Sequence, residues 1–157
     1  MQGRRLLVAA IVVMAALLVT LPLGGVAFGG DQRVFETDLT GAEEAPGPGD
    51  TDATGSALIK LPRANGRGPL CFKLDWAGID GTVTAAHIHS GAIGVAGPVV
   101  IPLFVEQSLP GTGDSHGCIQ GVDRALTMDI GQNPTNYYVN VHSTVFPAGA
   151  IRGQLGD

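Results

Sequence analysis

The chain has 157 residues, a net charge of −5, 24 glycines, 10 prolines and two cysteines. That length suits one ordinary domain. An acidic balance with no basic stripe excludes a binder of nucleic acid or of anionic lipid surfaces.

Taken in order, the chain opens on an export signal. Arg4 and Arg5 precede residues 6–23, which are almost wholly apolar, and Gly25-Val26-Ala27 offers the small residues that a signal peptidase reads. Residues 1–27 are therefore expected to be a signal peptide, cleaved after Ala27. The alternative is an uncleaved membrane anchor, because the apolar run approaches the length that spans a bilayer. Both readings place the remaining chain outside the cytoplasm, secreted or extracytoplasmic, and only the second gives it a membrane contact. Residues 28–157 keep seven basic and fourteen acidic groups, a net charge of −7.

Within that domain short strand-like runs alternate with glycine and proline punctuation. Residues 34–39 alternate weakly, and 41–54 read as a loop whose Glu43, Glu44, Asp50 and Asp52 match no calcium-loop spacing and suit a solvated acidic loop. Residues 56–61 and 70–76 flank Asn65-Gly66, a hairpin signal stretched by Pro62 and Pro69. In the second run Leu70, Phe72, Leu74 and Trp76 share one face, so they belong to the core. Residues 82–89 form the next strand, followed by a loop spaced by Gly91, Gly94 and Gly97. Residues 98–105 read as a strand that Pro102 pushes to an edge or bulge. Residues 109–117 read as loop. Residues 123–130 suit a short helix, with Asp123 at its N-cap and Gly131 just past its end. Residues 137–142 and 150–155 close the chain as strands. Seven or eight short strands imply an all-β antiparallel sandwich or barrel with Greek-key connections and one short helix.

Two motifs carry chemistry. His87 and His89 sit two apart on one strand, so their rings project from the same face while Ile88 points the other way. His142 ends the run Tyr137-Tyr138-Val139-Asn140-Val141. Should the two strands be neighbours, three imidazoles converge on the outward face, opposite Ile88, Val139 and Val141. Three neutral imidazoles with an open position suit copper, with zinc as second choice. The rival reading leaves the histidines hydrogen-bonded across the sheet without metal. Cys71 and Cys118, in an exported chain, are expected to form a disulfide.

The run Ala85-Ala86-His87-Ile88-His89-Ser90-Gly91, with Gly94 and Gly97-Pro98-Val99-Val100 beyond it, resembles the signature of the CHRD domain, named from chordin. Residues 137–143 and 146–155 resemble that family's closing motif, and Leu39-Thr40-Gly41-Ala42-Glu43-Glu44 its opening one. The resemblance implies an immunoglobulin-like β-sandwich and an exported module of undefined molecular role. Chordin's growth-factor antagonism does not carry over, because its cysteine-rich modules have no counterpart here. A second, weaker likeness joins His87-Ile88-His89, Val139-Asn140-Val141-His142 and Arg152 to the copper half of Cu/Zn superoxide dismutases. It implies that Arg152 would draw small anions to the centre, and it leaves His116 as the only accessory histidine. The leading expectation is a non-enzymatic extracellular module that binds copper. The alternatives are an adhesion or matrix module that binds protein or polysaccharide, and a copper-dependent superoxide dismutase in which Arg152 serves catalysis.

Overall fold

The structure, a computed structural model, describes residues 32–62 and 68–156. The expected signal peptide and the Asn65-Gly66 turn lie outside those residues. Among the described residues no helix is long and apolar enough to cross a membrane. Eight strands are present: β1 (Val34–Thr40), β2 (Thr54–Lys60), β3 (Leu70–Ala77), β4 (Val83–Ser90), β5 (Val99–Phe104), β6 (Gly113–Ile119), β7 (Tyr137–Ser143) and β8 (Ile151–Gln154). They form one antiparallel sheet in the order β5-β4-β7-β8-β1-β2-β3-β6. Two long crossings, from β3 to β4 and from β6 to β7, give the sheet its Greek-key character.

The sheet rolls until its two edges approach, making a nearly closed barrel. Inside the roll, Trp76 of β3 meets Phe104 of β5 with ring centroids 6.2 Å apart. At the seam the segment between β5 and β6 links the edges. Trp76 Nε1 donates to the Pro110 carbonyl at 2.9 Å, and Leu109 exchanges two backbone hydrogen bonds with Val83. Leu39, Ile59, Leu70, Leu74, Val83, Ile88, Val139, Val141 and Ile151, all fully buried, fill the interior. Burying each such side chain contributes about 1.5–3 kcal/mol, and the alternation read in β3 is the clearest trace of this core in the sequence.

Two expectations need correction. Residues 113–117 are not loop: they belong to β6, which pairs with β3 over its whole length, from Leu70 opposite Ile119 to Trp76 opposite Gly113. The inward positions of β6 include Gly113, Ser115 and Gly117, so no apolar alternation betrays the strand. The Phe72 and Trp76 rings of β3 lie over the two glycines and fill the space their side chains would take. The helix α1 (Arg124–Gln132) runs past Gly131 and ends at Asn133, whose N–H bonds Asp129 O at 2.8 Å. Gly131 is small for packing, since a Cβ there would stand 3.1 Å from Arg33 Nη1. Asp123 is the N-cap as expected, its Oδ1 accepting from Leu126 N at 2.9 Å.

Pro102 lies on β5, an edge strand whose pairing with β4 shifts register on both sides of His87–Ile88. Cys71 and Cys118 face each other across β3 and β6 and form the disulfide, pinning the edge strand that has least apolar surface of its own. They are 47 residues apart in sequence, and closing such a loop stabilises the fold by about 4 kcal/mol on the chain-entropy model. Replacing both cysteines by serine is expected to remove most of that stability, read by urea denaturation. An unchanged midpoint would show that the β3–β6 ladder holds without the bond.

Candidate metal centre

A β-bulge prepares the site. Between β4 and β7 the pairing shifts from Val83 opposite Ser143 to Ala85 opposite His142, so one extra residue sits on β4. Beyond the bulge the alternation is strict: Ala86 and Ile88 point into the barrel, and His87 and His89 point out. Opposite them on β7 stand Asn140 and Tyr138, and β8 places Arg152 against Asn140 and Gln154 against Tyr138. His142, two residues after Asn140, completes the face.

This face looks outward from the barrel, yet it is not solvated. All seven residues of β7 are buried. His89 and His142 are 7% and 8% exposed, and His87 is partly buried. The outward face is therefore a second, polar layer beneath loops. The roof is residues 91–97, the loop between β4 and β5. Arg152, 1% exposed, donates from Nη1 to Val95 O at 2.9 Å and from Nη2 to Ala92 O at 2.8 Å. Gln154 Nε2 donates to Gly91 O and Thr135 O, both at 2.8 Å. Gly97 must lack a side chain, because a Cβ there would overlap the Ser90 carbonyl.

The three imidazoles do come together: one ring nitrogen from each lies within 4.8 Å of the others. Their protonation follows from their partners. His89 Nδ1 donates to Gly97 O at 2.8 Å, and His142 Nδ1 donates to Pro147 O at 3.1 Å. Carbonyl oxygens only accept, so both rings carry the proton on Nδ1 and present a bare Nε2. His142 Nε2 then accepts from His87 Nδ1 at 3.0 Å. His89 Nε2 is buried and has no hydrogen-bond partner. Burial and the neighbouring rings of His142 and His89 push the His87 pKa down to about 4. Burial likewise lowers His89 and His142. At neutral pH all three imidazoles are uncharged.

Arg152 is not at the mouth of the cluster. Its guanidinium lies 3.4 Å above the Tyr138 ring, which in turn stacks on His89 at 4.8 Å. The side chain expected to guide anions is a buried brace whose donors are engaged by the roof. His116 is not brought in either. It stands on the solvent face of β6 opposite Lys73, with Nδ1 3.7 Å from Asp114, and is outside the triad.

Sequence reasoning missed two acids. Glu44 and Asp50 are 8% and 2% exposed, not solvated. Asp50 Oδ2 accepts from Asp80 N at 2.7 Å. Glu44 packs against Gly149, where φ is 146° and any Cβ would overlap its carboxyl group. Burial raises the Glu44 pKa to about 7, against the opposing pull of Arg152 and of hydrogen bonds from Asn140 and the Ala45 backbone. Asn140 stands two before His142, so the alternation of β7 already puts it on the histidine face, and the β4–β7 register sets it opposite His87.

A scan against protein-family models matches residues 35–155 to the CHRD domain. No curated protein matches the chain, and no solved structure does.

Two outcomes follow from this layer. Arg152→Met keeps volume but strands the Ala92, Val95 and Gln154 oxygens, and is expected to cost about 3–5 kcal/mol. Denaturation would read that loss, and hydrogen exchange would read faster opening at Gly97. Glu44 is the second case, with its folded pKa raised from 4.5 to about 7. Its contribution is present below pH 4.5 and lost as pH rises through 7. Glu44→Gln is therefore expected to gain stability relative to the parent chain as pH goes from 4.5 to 8. A pH-independent difference in urea midpoints would refute that origin.

Proposed function

The chain belongs to the CHRD domain family, and from that premise we propose that this small module of extracellular type binds one copper ion through His87, His89 and His142. Zinc is the second choice. Export to the extracytoplasmic side goes with this reading, because residues 1–27 have the composition of a signal peptide.

The observation that supports it is the convergence of three neutral imidazoles with ring nitrogens within 4.8 Å. Two of them are held in the ligating tautomer by backbone carbonyls. Metal-binding histidines are commonly oriented in this way, the other ring N–H anchored to a carbonyl or carboxylate. The orphaned His89 Nε2 supports the same reading, since a buried acceptor without a donor costs about 1–3 kcal/mol that a cation would offset. Copper is favoured over zinc by the Irving–Williams order for a nitrogen-rich set.

A bound ion would supply charge at the base of the roof. This chain's residues supply the rest: neutral donors, a fixed tautomer and a layer that excludes bulk water. The module is read as non-enzymatic. A dismutase needs a cation reachable by its anionic substrate, and the Arg152 guanidinium is buried under the roof.

The low pKa values also set the pH range. Protons compete weakly for these rings, so affinity should fall only as pH drops well below neutral, with the His87 step near pH 4. Calorimetric titration with copper is expected to give one site. The double variant His87→Ala, His89→Ala should lose at least 100-fold in affinity while its circular dichroism stays unchanged. Equal copper affinity in parent and variant would end the proposal.

A further inference from the structure

We propose that Asn140 supplies a fourth, oxygen donor to the ion held by His87, His89 and His142, and that Glu44 orients its amide. This rests on the metal reading above and adds a ligand to it. Asn140 sits at the centre of the covered face, opposite His87 on one side and Arg152 on the other. It is 1% exposed, and its Oδ1 is buried with no hydrogen-bond partner.

The surroundings say why that oxygen is orphaned. The Asn140 side chain is within reach of both the Glu44 carboxyl group and the His89 ring, while Glu44 Oε1, like Asn140 Oδ1, is buried without a hydrogen-bond partner. Because His89 donates from Nδ1 to Gly97 O, its Nε2 is a lone pair. Two acceptors, His89 Nε2 and Asn140 Oδ1, are thus both buried and both unpaired in one neighbourhood. Such groups repel each other and are each desolvated. Rotating the amide would offer His89 a donor, but it would set Oδ1 against Glu44, which when ionised has only acceptor oxygens to offer. Glu44 therefore fixes the amide with its oxygen towards the histidines. A cation is what two adjacent lone pairs accommodate, and a buried water donating to both is the competing occupant.

The donor set has a chemical consequence. Three imidazoles alone accept either oxidation state of copper. An added hard amide oxygen favours Cu(II) over Cu(I). Asn140 is then the residue that sets the preference for the oxidised ion.

The purified protein is titrated with Cu(II), and separately with Cu(I) kept reduced by ascorbate, each against a competing chelator. Asn140→Leu is expected to lose about tenfold in Cu(II) affinity and to change the Cu(II) electron paramagnetic resonance parameters, with Cu(I) affinity unchanged. Unchanged binding of both ions and an unchanged spectrum would assign the orphaned oxygen to water and overturn the proposal. An equal loss for both ions would mean that Asn140 only supports the fold, and would overturn it too. A parent protein that takes up neither ion would remove the metal reading itself, which is a separate result. Should Asn140→Leu fail to fold, Glu44→Gln decides. Its side chain can donate to Asn140 Oδ1 and release the amide, so Cu(II) affinity should fall while Cu(I) affinity stays. No difference between the ions there would overturn the assignment.

Discussion

One buried guanidinium organises everything outside the barrel. Arg152 is held by two backbone carbonyls of residues 91–97, by Gln154 Oε1 and by the face of Tyr138. A fully buried cation is costly unless its donors are satisfied, and here the roof loop provides the acceptors. The dependence runs both ways. Without Arg152 the loop has lost the partner of its carbonyls, and without the loop Arg152 would be stranded. The same loop offers Gly97 O to His89 as an acceptor and donates from Gly97 N to the Tyr138 hydroxyl. The orientation of a candidate ligand is therefore tied to the packing of an arginine on a different strand.

The sheet thus serves two cores. Its inner face at β4 and β7 is Ala86, Ile88, Val139 and Val141, packed as hydrocarbon inside the roll. Its outer face is His87, His89, Asn140, His142 and Arg152, packed as hydrogen-bonding groups beneath loops. Strict alternation along each strand keeps the two chemistries apart, and the bulge near Val83 sets the phase. An apolar core needs only volume and shape, whereas the polar layer needs each partner in place. This is why the layer's unpaired atoms at Glu44, His89 and Asn140 carry information about what binds there.

Part of this architecture is legible in the amino-acid order itself. The alternation of Leu70 to Trp76 announces a core strand because large apolar side chains two apart leave a clear period. The turn residues announce a many-stranded all-β domain, and Asp123 announces the helix start because capping is local chemistry. β6 is not legible, since its inward glycines borrow their bulk from Phe72 and Trp76 of a strand far earlier in the chain. Glu44 and Asp50 read as solvated for the same reason: composition describes a segment's own residues, and their burial comes from neighbours distant in sequence.

By itself the sequence determined the local quantities: which segments other than β6 are strands, that His87 and His89 share a face, that two cysteines were available to pair, and that the motifs are those of the CHRD domain. Only the tertiary structure decided that β4 lies beside β7, which brings His142 to the pair, and that Arg152 is a buried brace and His116 a surface residue. The physical reason is that periodicity fixes a side chain's direction relative to its own strand, whereas burial and partnership depend on strand order and loop packing. Those arise from long-range pairing, and no short stretch of residues encodes them.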